Sequence, residues 1–205
     1  MLKKIFSNPA LLFLLAGNIY CIWYYENHPG AFATVVWIYW FQSVIIGLFN
    51  FIDLFTIKNF DAGTLKMNNQ PVSSMNKGCV AWFFLLHYGG FHLGYAVFLL
   101  VQIGVRTVSR SVLLLGIGVF LLEAIMNFTR QKQAEQTRSF SLGGMFFLPY
   151  LRIIPMHLMI LLPAFLGWKP SLIFLLLKMG ADILTYILYH HIYGKKNAVE
   201  NEGAA

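Results

Sequence analysis

Four residues that can hold charge or exchange protons follow one another at four-residue intervals in the last apolar stretch of the chain. They are Lys178, Asp182, Tyr186 and His190. A helix turns about 100° per residue, so these four side chains share one face. Ionisable groups inside a membrane are costly unless they face a bundle interior or a water-filled cavity. We therefore expect a polar interior enclosed by apolar helices.

Other apolar stretches carry isolated polar residues at comparable depth. Glu123, His157 and Asp182 are the most informative, because each is deep and each lies on a different predicted helix. His87 and His92 are five residues apart, about 140° around a helix, so they are not expected to be joint ligands of one ion. The full candidate set for the polar interior is Gln42, Asn50, Asp53, His87, His92, Glu123, Asn127, His157, Lys178, Asp182, Tyr186 and His190. Arg152 is expected instead to extend to the membrane face.

The leading hypothesis from these residue types is a membrane-embedded, metal-dependent enzyme acting on a lipid-soluble substrate. Imidazoles and carboxylates are the usual ligands of zinc or iron, and three protein ligands plus a water make a catalytic site. In this hypothesis His87, His157 and Asp182 bind a divalent metal such as Zn or Fe. A metal-bound water becomes a nucleophile near neutral pH, with Glu123 as its general base.

Two other functions fit the same residues. The first is a small transporter or channel subunit, in which Asp182, Glu123 and the histidines relay protons or bind cations. A homo-oligomer would then supply the pore that a short chain lacks. The second is a structural or partner-binding membrane protein, in which Lys178 and Asp182 only neutralise each other and the histidines only hydrogen-bond at helix contacts.

The composition places the chain in the membrane. Apolar residues make up 58% of the sequence and charged residues 11%, and the apolar residues come in long blocks. A soluble domain has about a quarter of its residues charged. The net charge of +7 is therefore ascribed to cationic ends of membrane helices and not to nucleic-acid binding. Cys21 and Cys79 show no disulfide or zinc pattern, and HExxH, phosphate-loop and GxSxG motifs are absent.

The predicted fold is all-α: a six-helix transmembrane bundle forming one domain over residues 1–194, with a polar cytoplasmic tail over 195–205. The predicted spans are residues 5–24, 31–57, 78–105, 108–128, 145–166 and 171–193. Ten lysines and arginines fall in the terminal segments and in the loops 58–77 and 129–144, against three on the other side. The positive-inside rule then puts both termini in the cytoplasm of a multi-pass protein in the cell membrane.

Two spans have special features. The fifth contains Pro149, Pro155 and Pro163. Its helix is expected either to begin at Pro149, in which case residues 139–148 are interfacial or re-entrant, or to kink around Pro155. The third contains Gly90-x-x-x-Gly94, a pattern typical of close helix packing in membranes.

The segments 41–50 (FQSVIIGLFN) and 84–92 (FLLHYGGFH) resemble a prokaryotic family of small multi-span integral membrane proteins known only as a domain of unknown function. The resemblance covers most of the chain. It implies a multi-span membrane protein and specifies no reaction or ligand. It also favours Gln42, Asn50 and His87 as members of a shared polar site.

Overall fold

The computed structural model describes residues 9–28, 30–62, 65–73, 75–136, 139–166 and 172–192. These residues form long helices joined by short loops with a little β-structure, which confirms the all-α class. The helices are α1 Pro9–Asn27, α2 Phe32–Thr56, α3 Lys77–Gln102, α4 Arg110–Glu135, α5 Leu142–Leu166 and α6 Leu172–Ile192. The two-residue strands are β1 Phe60–Asp61, β2 Lys66–Met67, β3 Gln70–Pro71 and β4 Phe140–Ser141.

Within the described residues, α2, α3 and α4 are long and apolar enough to cross a membrane. They contain 25, 26 and 26 residues, about 38 Å at 1.5 Å per residue, which exceeds a hydrocarbon core of about 30 Å. Their outer faces expose large apolar side chains such as Leu86, Val101 and Leu114. Such faces suit contact with lipid tails.

Helix α2 packs against α3, α4 and α5. Successive contacts run from α2 to α4, α1, α6, α5 and back to α2, which closes a ring of five helices. Helix α3 packs on the outside of this ring, mainly against α2. Polar side chains that point into the ring are therefore separated from those at the contacts of α3.

Contacts at the two ends of the bundle show that α2, α3 and α4 alternate in direction. At one end β1 pairs in parallel with β4, so the loops after α2 and after α4 lie together. At the other end the Trp37 indole N–H donates to the carbonyl of Gly104 at 3.0 Å, and Thr34 accepts from the Ser109 amide at 3.0 Å. The loops 58–77 and 129–144 thus share one side, as the topology requires.

Helix α4 continues seven residues beyond Phe128, where the predicted span ended, so the first part of the predicted polar loop is helical. Lys132 pairs with Asp53 at 2.7 Å and with Glu135 at 2.9 Å. Glu135 Oε1 accepts the Lys58 amide N–H at 2.5 Å, and its backbone carbonyl accepts from Asn59 at 3.2 Å. These contacts hold the polar end of α4 against the loop that follows α2.

We expect Glu135→Ala to loosen this end of the bundle without unfolding it. The buried Glu135 carboxylate is the acceptor of the Lys58 amide and the partner of Lys132, and a charged hydrogen bond contributes about 1.5–3 kcal/mol. Hydrogen exchange of the Lys58 amide should accelerate at least tenfold. Gln133→Ala, at an exposed site of the same helix, is the control. Unchanged exchange in Glu135→Ala would contradict this role.

Helix α5 begins at Leu142, so the prediction of a start at Pro149 was wrong. The Ser141 hydroxyl accepts the Gly144 amide N–H at 3.2 Å, the bond of a helix N-cap. Leu142 and Met145 are fully buried in the core. The cap and the buried side chains hold the two turns before Pro149, which the prediction had placed at the interface.

Among the described residues, no close contact forms at Gly90 and Gly94, contrary to expectation. A Cβ added at either glycine would meet nothing within 4 Å. Close helix contacts occur instead at Gly17, Gly47 and Gly116, where an added Cβ would clash with Phe120, Tyr88 and Ile38 respectively. The reason is the face of α3 that packs: Phe84, Tyr88, His92 and Leu99 are buried, whereas Gly90 lies about 200° from Tyr88.

Candidate functional site

A buried ion cluster surrounds Asp182 inside the five-helix ring. The Asp182 side chain is 0% exposed. Its Oδ2 accepts hydrogen bonds from Asn18 Nδ2 at 3.0 Å, from Gln42 Nε2 at 3.2 Å and from the ammonium of Lys178. These donors come from α1, α2 and α6. One carboxylate oxygen therefore ties three helices together.

Lys178 is held as closely as its acid partner. Its Nζ donates to Gln42 Oε1 at 2.6 Å and lies 4.6 Å from the centre of the Tyr39 ring, a cation–π distance. Gln42 thus accepts from the lysine and donates to the aspartate. A buried ion pair is favourable only when such additional bonds satisfy its remaining donors and lone pairs.

Arg152 of α5 adds a second cation to the cluster. Its Nε donates to Thr185 Oγ1 at 3.0 Å and lies 3.8 Å from Asp182 Oδ1. That distance makes an ion pair but not a hydrogen bond. Oδ1 has no hydrogen-bond partner among the described residues. The second oxygen of Asp182 is therefore held by electrostatic attraction alone.

A partly open cavity of about 70 Å³, with both polar and apolar side chains in its lining, adjoins the cluster and lies between α2, α4, α5 and α6. Arg152 and Thr185 belong to both, so the cavity begins where the cluster ends. The other polar lining residues are Asn50, Glu123, Asn127, Gln131 and Tyr186. At about 30 Å³ per water, the volume suffices for a few water molecules.

Glu123 and Asn50 are buried polar residues of the cavity that have few partners in the described part of the chain. Glu123 is 1% exposed, and its Oε1 accepts from Asn127 Nδ2 at 2.5 Å. In the part of the chain that the structure describes, it makes no ion pair within 4.0 Å. Asn50 is 6% exposed, and neither its side-chain nitrogen nor its oxygen has a described partner. The cavity thus presents a carboxyl group and an unpaired amide.

His87, His92 and His157 lie elsewhere, on the side of the ring where α3 packs. His92 Nδ1 donates to the Tyr88 carbonyl at 2.8 Å, which leaves Nε2 to accept from the Ser43 hydroxyl at 2.9 Å. His157 Nδ1 donates to the Ile153 carbonyl at 2.9 Å, and its ring meets Tyr95 of α3. His87 is exposed and bonds the Tyr150 hydroxyl at 2.8 Å.

The predicted ligands His87, His157 and Asp182 therefore do not form a metal site. No group of three or more His, Cys, Asp or Glu side chains within residues 9–192, masked positions aside, is placed to hold an ion. The physical reason is helix orientation: His87 lies on α3 and bonds Tyr150, the His157 ring contacts Tyr95 of α3, and Asp182 points into the ring. Asp53, also expected in the cavity, pairs with Lys132 at the loop end of α2. The His190 side chain lies outside the described residues.

The sequence model of a protein family of unknown function matches residues 1–198. The chain belongs to the family DUF6498. The match confirms the resemblance to a family of unknown function that the segments 41–50 and 84–92 indicate. No curated protein and no solved structure matches the chain.

Three residues of this DUF6498 site were missed by sequence reasoning or assigned another role. Arg152 was expected at the membrane face but reaches Asp182. Asn18 and Thr185 were not candidates, yet they bond Asp182 and Arg152. A usable signal existed for Asn18, because a lone amide within an apolar helix needs a partner. Thr185 gave no such signal, because a threonine hydroxyl within a helix can bond a carbonyl of its own helix. Thr185 does so at the Ala181 carbonyl.

Proposed function

We propose that this DUF6498 protein is a small membrane carrier that moves protons, with Glu123 as the group that takes up and releases the proton. In this proposal all six helices cross the cell membrane and both termini are cytoplasmic, as the distribution of lysines and arginines indicates. One observation carries the proposal: Glu123 is a buried acid without a described ionic partner, at the middle of the 26-residue helix α4 and on a polar cavity.

The two buried acids of the site, Asp182 and Glu123, differ in how many interactions depend on their negative charge. Asp182 has three hydrogen-bond donors and a second cation, so neutralising it would leave Lys178 and Arg152 without their anion. Glu123 has a single neutral donor, Asn127. A proton can bind or leave Glu123 without breaking an ion pair. Glu123 therefore suits a carrier of protons, and Asp182 suits a fixed charge beside it.

The cavity gives the proton a path toward one side. Its lining follows α4 from Glu123 through Asn127 and Phe128 to Gln131, about 12 Å along the helix. This direction leads to the end of the bundle where β1 pairs with β4. Asn127 and Gln131 can hydrogen-bond water along it. In the proposed topology this end is cytoplasmic.

The metalloenzyme hypothesis has weaker support than the carrier hypothesis. Its predicted ligands are divided between the interior of the ring and the contacts of α3. Glu123 would then have no metal-bound water to activate. The carrier hypothesis uses the acids where they lie and does not require the histidines.

The test is proton flux into liposomes that contain the purified protein and a trapped pH-sensitive dye. We expect Glu123→Gln to lower the flux at least tenfold, because the amide cannot exchange a proton. The variant should fold normally, since glutamine has the same shape and keeps the contact with Asn127. Glu26→Gln, at an exposed acid beyond the cavity, should retain full flux. Equal flux in wild type and Glu123→Gln, or none in wild type, would refute the proposal.

A further inference from the structure

We infer that the cavity also binds a small monovalent anion, which accompanies the proton as co-substrate. This inference rests on the proposed function, since it requires Glu123 to take up a proton. The ligand class follows from the balance of buried charges, the donors that face the cavity and the size of the cavity.

The ion cluster and the cavity together contain two cations, Lys178 and Arg152, and two acids, Asp182 and Glu123. Lys178 bonds Asp182 directly, and Arg152 lies 3.8 Å from the same carboxylate. One aspartate cannot balance two cations, and the ionised form of Glu123, which lines the same cavity, would supply the second negative charge. Protonation of Glu123 leaves one positive charge in excess. An anion that enters beside Arg152 restores neutrality, and uncompensated charge at such depth is costly.

Suitable donors for the anion are already in place. The Arg152 guanidinium has five N–H donors, of which Nε–H is donated to Thr185. The Asn50 amide is more than nine-tenths buried, lines the cavity and has no described partner. An unpaired buried N–H₂ group is unfavourable because it has lost its hydrogen bonds to water. A bound anion that accepts from Asn50 removes that cost.

Other titratable groups near Glu123 do not supply a second proton carrier as readily. Arg152 approaches from α5, and Tyr186, Lys178 and Asp182 from α6. Arginine stays charged at all relevant pH values, and Lys178 and Asp182 hold each other. Tyr186 is already engaged in interactions of its own, so it is not available as a free proton carrier. Each cycle then carries one proton on a Glu123 oxygen and one anion at Arg152, and no net charge crosses.

The anion that we expect in this cavity is a small one. About 70 Å³ admits chloride or formate, given about 30 Å³ for one water molecule. Gluconate, with a six-carbon chain, is much larger than this volume and serves as the comparison anion. Comparing these three anions therefore separates binding in the cavity from general screening of charge by salt.

The experiment measures proton uptake into protein-containing liposomes under inward gradients of chloride, formate or gluconate, with the membrane potential clamped. We expect chloride or formate to raise proton uptake at least tenfold over gluconate. Asn50→Ala should raise the half-saturating chloride concentration at least tenfold, whereas Asn27→Ala, outside the cavity, should not. Equal proton uptake with all three anions would overturn the inference and leave the proposed function standing. Absence of any proton flux would overturn both.

A binding measurement in detergent tests the same inference without transport. Glu123→Gln carries a permanently neutral group where the wild type can be ionised. At alkaline pH we expect this variant to bind chloride at least tenfold more tightly than the wild type by titration calorimetry. Equal chloride affinity in the two proteins, or none in either, would overturn the inference.

Discussion

Asp182→Ala is expected to destabilise the protein by about 3–5 kcal/mol, because breaking a buried ion pair leaves an uncompensated charge. The substitution removes the acceptor of Lys178, Asn18 and Gln42 and the ion-pair partner of Arg152. Lys178 would keep only Gln42 and the Tyr39 ring. Unfolding in mixed micelles, followed by the loss of helical circular dichroism, measures the change.

The matched control removes both charges of the pair. Replacing a buried ion pair with apolar residues of similar size is often neutral for stability, so Lys178→Met combined with Asp182→Leu should recover most of the loss. Glu26→Gln, at an exposed acid at the end of α1, should leave unfolding unchanged. If Asp182→Ala unfolds at the same detergent composition as the wild type, the cluster does not stabilise the ring.

Gly47→Val is expected to separate α2 from α3. A Cβ at position 47 would lie 2.7 Å from Cδ1 of Tyr88 and closer still to Cε1. The Tyr88 ring cannot yield easily: it is buried, its hydroxyl donates to the Ser43 carbonyl at 3.1 Å, and it stacks on His92. Overpacking costs about 1–3 kcal/mol, and we expect the upper end here. The same unfolding assay measures it.

The control for Gly47→Val is the identical substitution at Gly94, where an added Cβ meets nothing within 4 Å. Gly94→Val should change stability much less than Gly47→Val. A larger loss at Gly94 than at Gly47 would show that the exposed face of α3 forms a contact that the isolated chain lacks.

Much of the helical framework could be predicted because long apolar blocks have few alternatives in a membrane. The predicted second span, residues 31–57, agrees closely with α2. Errors arose where polar contacts extend a helix, as Glu135 does for α4, or where a serine caps it ahead of a proline, as at Ser141. The β2–β3 hairpin could have been predicted from Asn68 and Asn69, because asparagine tolerates positive φ and a tight two-residue turn requires it. Both residues adopt positive φ in the structure.

Only those contacts of the candidate site that lie within one helix could be predicted from the sequence. Lys178 and Asp182 are four residues apart, so their contact follows from helix geometry alone. Whether Glu123 or His157 shares their space depends on which faces of α4 and α5 turn inward, and the hydrophobic pattern does not reveal this for helices that are apolar all round. The structure turns Glu123 inward and His157 toward Tyr95.

The hydrogen bond between Asn18 and Asp182 joins α1, which is synthesised early, to α6, which is synthesised late. The two residues are 164 positions apart, so α1 emerges from the ribosome long before its partner exists. Contacts between distant parts of a chain form late, since the intervening loop must close first. The ring can close only once α6 has entered beside α1. The ion cluster is therefore assembled last, and a chain truncated before α6 leaves the amide of α1 without its carboxylate.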